Sequence, residues 1–193
     1  MNEMPTINWC PSMQVILPYA DSPEKYVENE AYRKLPPPTK CPHCLTKSSL
    51  EVLGYYRRGL SELDSAKILT ILVKRFFCRR CGRTVSLLPS FAQPYRLVRN
   101  LLVEQFFSKE VNGHGVRSWR YLLSRYWRRF VRWIPQLELA AFGWAGRPPP
   151  DSDADVWWFF LLRVFGDIEE ITRGLVSVSR VTLFGRYQCH QPV

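Results

Sequence analysis

Two Cys-x-x-Cys pairs, Cys41-Pro42-His43-Cys44 and Cys78-Arg79-Arg80-Cys81, constrain this chain more than any other feature. A Cys-x-x-Cys turn directs two thiolates at one ion, and a structural zinc site takes about four such ligands in a tetrahedron. The 33 residues between Cys44 and Cys78 suffice for a β-hairpin whose ends return to the same ion. Gly82 directly follows the second pair, where a tight turn benefits from a residue without Cβ. One Zn²⁺ held by Cys41, Cys44, Cys78 and Cys81 is therefore expected. A shell of four thiolates has no open position, so the ion is expected to stabilise the fold and not to activate water. His43 sits between two ligands, and its side chain is expected to point away from the metal. Cys10, Cys189, His114 and His190 have no spacing that makes a second site.

The segments between and after the pairs predict an α+β chain in four parts. Residues 1–40 mix proline, charge and scattered aromatics, end in Leu35-Pro36-Pro37-Pro38, and read as an extended segment that wraps the neighbouring domain. Trp9, Cys10, Ile16, Leu17 and Tyr19 in it are expected to cover a neighbouring surface. Residues 41–90 form a small zinc ribbon, with strands over 50–58 and 67–77 joined by a turn near Gly59-Leu60-Ser61-Glu62; the second stretch is rich in β-branched and aromatic residues. Residues 91–146 form a mainly helical, helix-turn-helix-like region. A helix over 97–108 closes before Asn112-Gly113-His114-Gly115, and a second over 116–134 carries Trp119, Leu123, Tyr126, Phe130 and Ile134 on one face and ends at Pro135. Residues 147–193 supply a C-terminal helix through about Thr172, opened by the acidic run Asp151 to Asp155, and then short strands.

With 193 residues, 46% of them hydrophobic and 23% charged, the chain suits one domain with a sizeable core or two small ones. The net charge is +10, from 27 Lys plus Arg against 17 Asp plus Glu, which points to a polyanionic partner. The N-terminus lacks the basic start and apolar stretch of a secretory signal. The longest apolar run, 156–162, falls far short of the ~20 residues of a membrane span. A cytoplasmic, nucleoid-associated protein with no membrane partner is expected, and reduced cysteines with it.

The placement of the charge is more specific. Between Val111 and Gln136 there is no acid, while Arg117, Arg120, Arg125, Arg128, Arg129 and Arg132 accumulate on the helix side opposite the apolar face. Arg57, Arg58, Lys74, Arg75, Arg79, Arg80 and Arg83 crowd the ribbon, where guanidinium forks suit phosphates. These thirteen side chains are the expected nucleic-acid contacts. Tyr55, Tyr56, Phe76 and Phe77 are divided between core positions and base stacking. The cluster Trp157-Trp158-Phe159-Phe160 reads first as core.

The knuckle CPHC, the hairpin and the strand ending RFFCRRCGRTVSLLP resemble the N-terminal region of bacterial insertion-sequence transposases of the zinc-ribbon type. The resemblance spans roughly residues 40–135. It implies a zinc ribbon followed by a helix-turn-helix that binds double-stranded transposon-end DNA, with 116–134 as the reading helix and 97–108 as its support. In that family a DDE catalytic domain comes next, and about 60 residues cannot hold one. The expected function is thus non-catalytic: a zinc-ribbon DNA-binding accessory or regulatory factor, with a transposase or recombinase as a possible partner. The residues leave open an adaptor binding a recombinase or polymerase, RNA binding, and a metal-dependent nuclease built on Asp151, Asp153, Asp155, Asp167, Glu169 and Glu170.

Overall fold

The computed structural model describes residues 13–110, 113–141, 153–179, 181–186 and 189–190. It is a mixed α+β chain. The apolar run MQVIL forms β1 (Met13–Leu17), followed by two short helices, α1 (Pro23–Glu28) and α2 (Ala31–Lys34). Part of the expected extended segment is therefore built into the fold. Ile16 is buried, and its neighbours Met13 and Val15 are too. The hairpin strands are β2 (Leu50–Ser61) and β3 (Ile68–Cys78), paired antiparallel from Leu50 opposite Cys78 to Ser61 opposite Ile68. A third strand absent from the sequence reading, β4 (Thr84–Pro89), pairs antiparallel with β3 and parallel with β1. Its run TVSLLP is buried nearly throughout, so it lacks the alternation that marks a half-buried strand. With β7 (Cys189–His190) beyond β1, the sheet order is β2-β3-β4-β1-β7.

The helical half differs from expectation at three points, each for a local reason. Helix α3 (Asn100–Phe107) is followed by α4 (His114–Ala141), so Gly113 and Gly115 open a helix where they were expected to separate two. Asn112 lies outside the described residues. Gly115 is buried, and a Cβ placed on it would sit 1.7 Å from the Leu63 carbonyl oxygen in the β2–β3 turn. The glycine is there for that close approach. Pro135 does not end α4. Proline removes the bond to the carbonyl four residues back, here that of Val131, a residue on the exposed side of the helix. Leu137 and Ala141 carry the apolar face onward, fully buried.

The expected single C-terminal helix is two, α5 (Ala154–Phe165) and α6 (Ile168–Ser179). Gly166, at φ 102°, ends the first, and the Asp167 carboxylate accepts from the Glu170 N–H to start the second. Asp153 caps α5, accepting from the backbone of Asp155 and Val156; Asp151 lies outside the described residues. A small hairpin of β5 (Val181–Thr182) and β6 (Gly185–Arg186) comes next, with Leu183 and Phe184 buried at its tip.

The helical core is centred on Phe107, whose ring lies 4.8 Å from Trp127, 5.1 Å from Trp158 and 5.5 Å from Phe130. Trp157, Trp158 and Phe160 are buried as a core reading requires, and Phe159 is exposed. The sheet and helices join at the hairpin tip. Besides the Gly115 approach, the Trp119 indole donates to the Ser65 carbonyl at 3.0 Å.

This joint gives a direct test. Gly115→Ala would force the Leu63 backbone aside, an overpacking that costs roughly 1–3 kcal/mol. The urea midpoint should fall accordingly; an unchanged midpoint would mean that the tip and α4 are not packed together in this way.

Candidate metal centre and candidate nucleic-acid interface

The four cysteines singled out by spacing come together. Their sulfurs all lie within 4.8 Å of one another, with Cys41 Sγ 3.7 Å from Cys81 Sγ and Cys44 Sγ 3.7 Å from Cys78 Sγ. Sulfurs at ~2.3 Å around a tetrahedral ion are about 3.8 Å apart, whereas a disulfide needs ~2.05 Å. The set thus fits one metal ion. His43, exposed between two of the cysteines, is not part of the cluster.

Both knuckles are built alike. In the first, Cys41 N–H donates to Thr46 and its carbonyl accepts from Leu45 N–H; in the second, Cys78 N–H donates to Arg83 and its carbonyl accepts from Gly82 N–H. Each loop therefore needs a left-handed residue just after its second cysteine: Leu45 at φ 58° and Gly82 at φ 69°. Burial raises the Cys81 thiol, and the neighbouring thiols push it further, to about 12. At Cys78 burial acts the same way but is outweighed by hydrogen bonding with the Ser49 hydroxyl, which lies 3.2 Å from the sulfur, and with the Cys81 backbone; together they hold it at about 6. Four thiols this close, two of them buried, would repel one another if all ionised, and a cation among them would relieve that repulsion.

The second feature is a groove of about 820 Å³ along α4, lined by Arg96, Arg125, Arg128, Arg129, Arg132 and Arg186 with Tyr126 and Trp133 at its apolar base. No acidic residue lines it among the described residues. The stripe arises because residues 125, 128, 129 and 132 share one helix face, and 126, 130 and 134 bury the other. The opposite wall is the turn of residues 93–97. Three clamps hold that turn: Leu97 N–H donates to the Tyr126 hydroxyl, Ser61 N–H donates to the Leu97 carbonyl, and Arg58 donates to the carbonyls of Gln93 and Arg96. Arg99, almost wholly buried, ties Ser61 to Glu24 through a 2.6 Å ion pair. Burial raises the Glu24 carboxyl, but the Arg99 guanidinium, together with hydrogen bonds from the Glu24 backbone N–H and the Ser22 side chain, holds it below the ordinary range.

The thirteen expected contacts therefore divide. Arg125, Arg128, Arg129 and Arg132 are gathered in the groove, with Arg129 also donating to the Phe184 carbonyl at 2.5 Å. Arg58 and Arg75 border an adjoining pocket. Arg117 and Arg120 are exposed on α4 outside the groove. Lys74 is a correction: it is 7% exposed, and its ammonium donates to the carbonyls of Arg33 and Leu35, fastening the end of α2 to β3. One register step places Arg57 on the other sheet face from Arg58, beside Tyr32 and Thr70. Arg79 pairs with Glu51 at 2.6 Å, and Arg80 and Arg83 stay with the knuckle. Phe76 is core, Tyr55 packs edge-on against Tyr32 at 5.2 Å, and Tyr56 lines the adjoining pocket. Arg96 and Arg186 were not singled out. Arg96 stands in a short turn and Arg186 in a two-residue strand, away from the dense basic runs that draw attention.

Four of the six acidic residues considered for a nuclease have structural partners. Asp153 and Asp167 cap helices, Asp155 pairs with Lys109 and Glu170 with Arg173. Among the described residues the cysteine set is the one cluster able to hold a metal. No helix is long and apolar enough to cross a membrane among the described residues. Compared with protein-family models, curated proteins and solved structures, the chain matches none.

The twin knuckles predict an asymmetry. A Cβ on Gly82 meets nothing within 4 Å, so Gly82→Ala should cost only the left-handed penalty of about 1–2 kcal/mol. Leu45, largely exposed, already carries that penalty, and Leu45→Gly should be neutral or stabilising by up to about 1 kcal/mol. Thermal unfolding of the two variants checks the pair; matching losses would contradict the shared loop geometry.

Proposed function

We propose that this protein is a zinc-stabilised, non-catalytic nucleic-acid-binding protein that takes a polynucleotide along the α4 groove. The carrying observation is the acid-free lining of six arginines on one concave surface. Arginine faces on helices are ordinarily solvated or paired with nearby carboxylates. Here the guanidiniums converge across a groove from three separate elements, an arrangement whose mutual repulsion a polyphosphate relieves.

Zinc is the ion proposed for the four sulfurs, since a tetrahedral all-thiolate set suits zinc or iron and a purely structural role needs no redox chemistry. On this reading β2, β3 and the knuckles are a zinc ribbon, and α3 and α4 are the support and reading helices of a helix-turn-helix-like unit. DNA is the favoured polymer because the CPHC and RFFCRRCGRT segments resemble the transposase N-terminal region. An accessory role beside a transposase or recombinase is proposed on the same resemblance.

Replacing Arg125, Arg128 and Arg132 with Ala tests the reading without touching the tie from Arg129 to Phe184. Each phosphate left without its arginine should reduce the slope of log affinity against log salt by about 0.9 on a duplex and ~0.7 on a single strand. A fall of about 2–3 on a duplex is expected for the triple variant; an unchanged slope would overturn the groove as the binding surface.

A further inference from the structure

The groove continues into a pocket of about 470 Å³ between the sheet and the 93–97 turn, the two sharing Tyr95, Arg96 and Leu97. A polar row crosses three strands here, and its two ends, Gln14 and Arg75, line the pocket. Gln14 on β1 is opposite Ser86 on β4, which is opposite Arg75 on β3, so the pleat sends all three to one face. Gln14 is 4% exposed, and its side-chain oxygen has no hydrogen-bond partner. The Arg75 Nε is likewise buried and unpartnered, while its guanidinium lies 5.8 Å over the Tyr56 ring. Buried polar atoms are nearly always satisfied in folded proteins, so two unsatisfied ones lining a single pocket mark it as a candidate binding site.

The lip is unusual as well. Arg96 N–H donates to the Gln93 carbonyl at 3.1 Å, making a β-turn with Pro94 second and Tyr95 third. Tyr95 has φ 57°, in the left-handed region where this turn position ordinarily carries glycine or asparagine. A tyrosine held there, 42% exposed over the pocket mouth, is backbone strain at a candidate site.

We propose that this pocket receives one unpaired nucleobase of a strand whose phosphates run along the α4 arginines. The inference rests on the nucleic-acid reading above and names the substrate class, a single-stranded or locally unpaired polynucleotide. Tyr95 and Tyr56 offer aromatic faces for stacking, and the Gln14 amide offers a donor and an acceptor to a base edge. The arginine stripe lines a concavity, which a flexible strand can track. The volume falls within the range of ordinary ligand pockets, about 300–1,000 Å³.

Anisotropy titrations of the full chain separate the two claims. The probes are labelled oligonucleotides of equal length: a single strand with bases, a strand of abasic spacers and a duplex. Base stacking should make the base-bearing strand bind about tenfold or more tightly than the spacer strand at equal phosphate number. Gln14→Leu, which removes an unsatisfied buried amide, should bring that ratio to within about twofold. Tyr95→Asn, whose side chain tolerates the left-handed turn, should lower the ratio while raising or preserving the melting temperature. Equal binding of the base-bearing and spacer strands overturns the base pocket and leaves the groove reading intact. So does a ratio that both variants leave unchanged. Failure to bind any of the three probes overturns both.

Discussion

Four sulfurs drawn within 4.8 Å hold both ends of the β2–β3 hairpin at one point, and much of the structure is hung from that hairpin. Gathering the thiols drives their acidities apart, with Cys78 held at about 6 by hydrogen bonding and Cys81 pushed to about 12 by burial and its neighbours. A cation between them would convert that conflict into an attraction. At the far end of the same hairpin, the tip carries α4 through the Gly115 and Trp119 contacts, and Ser61 anchors the turn that forms the groove's second wall. The knuckles and the arginine groove are thus two ends of one lever.

Much of the site was legible because its chemistry is local. A Cys-x-x-Cys turn states its own geometry, and the 3.6-residue spacing of Tyr126, Phe130 and Ile134 fixes where Arg125, Arg128 and Arg132 must face. What escaped was set by tertiary contact. The buried strand β4 has no period to read, and β1 becomes a strand by pairing with it. Gly115 reads as a helix stop until the Leu63 carbonyl is seen against it. Lys74 reads as a phosphate contact, yet two carbonyls some forty residues upstream claim its ammonium. The division of the ribbon's basic residues between the two sheet faces depends on strand register, which a bulge between Val52 and Gly54 shifts.

Left-handed residues mark two working parts of the molecule in contrasting ways. At the second knuckle the position is glycine, which adopts it without strain; at the groove lip it is tyrosine, which does not. The polar row of Gln14, Ser86 and Arg75 likewise runs through a sheet whose neighbouring positions are Val15, Val73, Val85 and Leu87. Strain and buried polarity meet at the same pocket, where the groove begins.

The central claim is that one tetrahedrally held metal ion closes the hairpin. Native mass spectrometry of reduced, purified protein, with elemental analysis of the same sample, measures it directly. The account predicts one zinc per chain and no free thiol among Cys41, Cys44, Cys78 and Cys81 until the metal is stripped. A folded protein free of metal, with those four thiols open to alkylation, would contradict it.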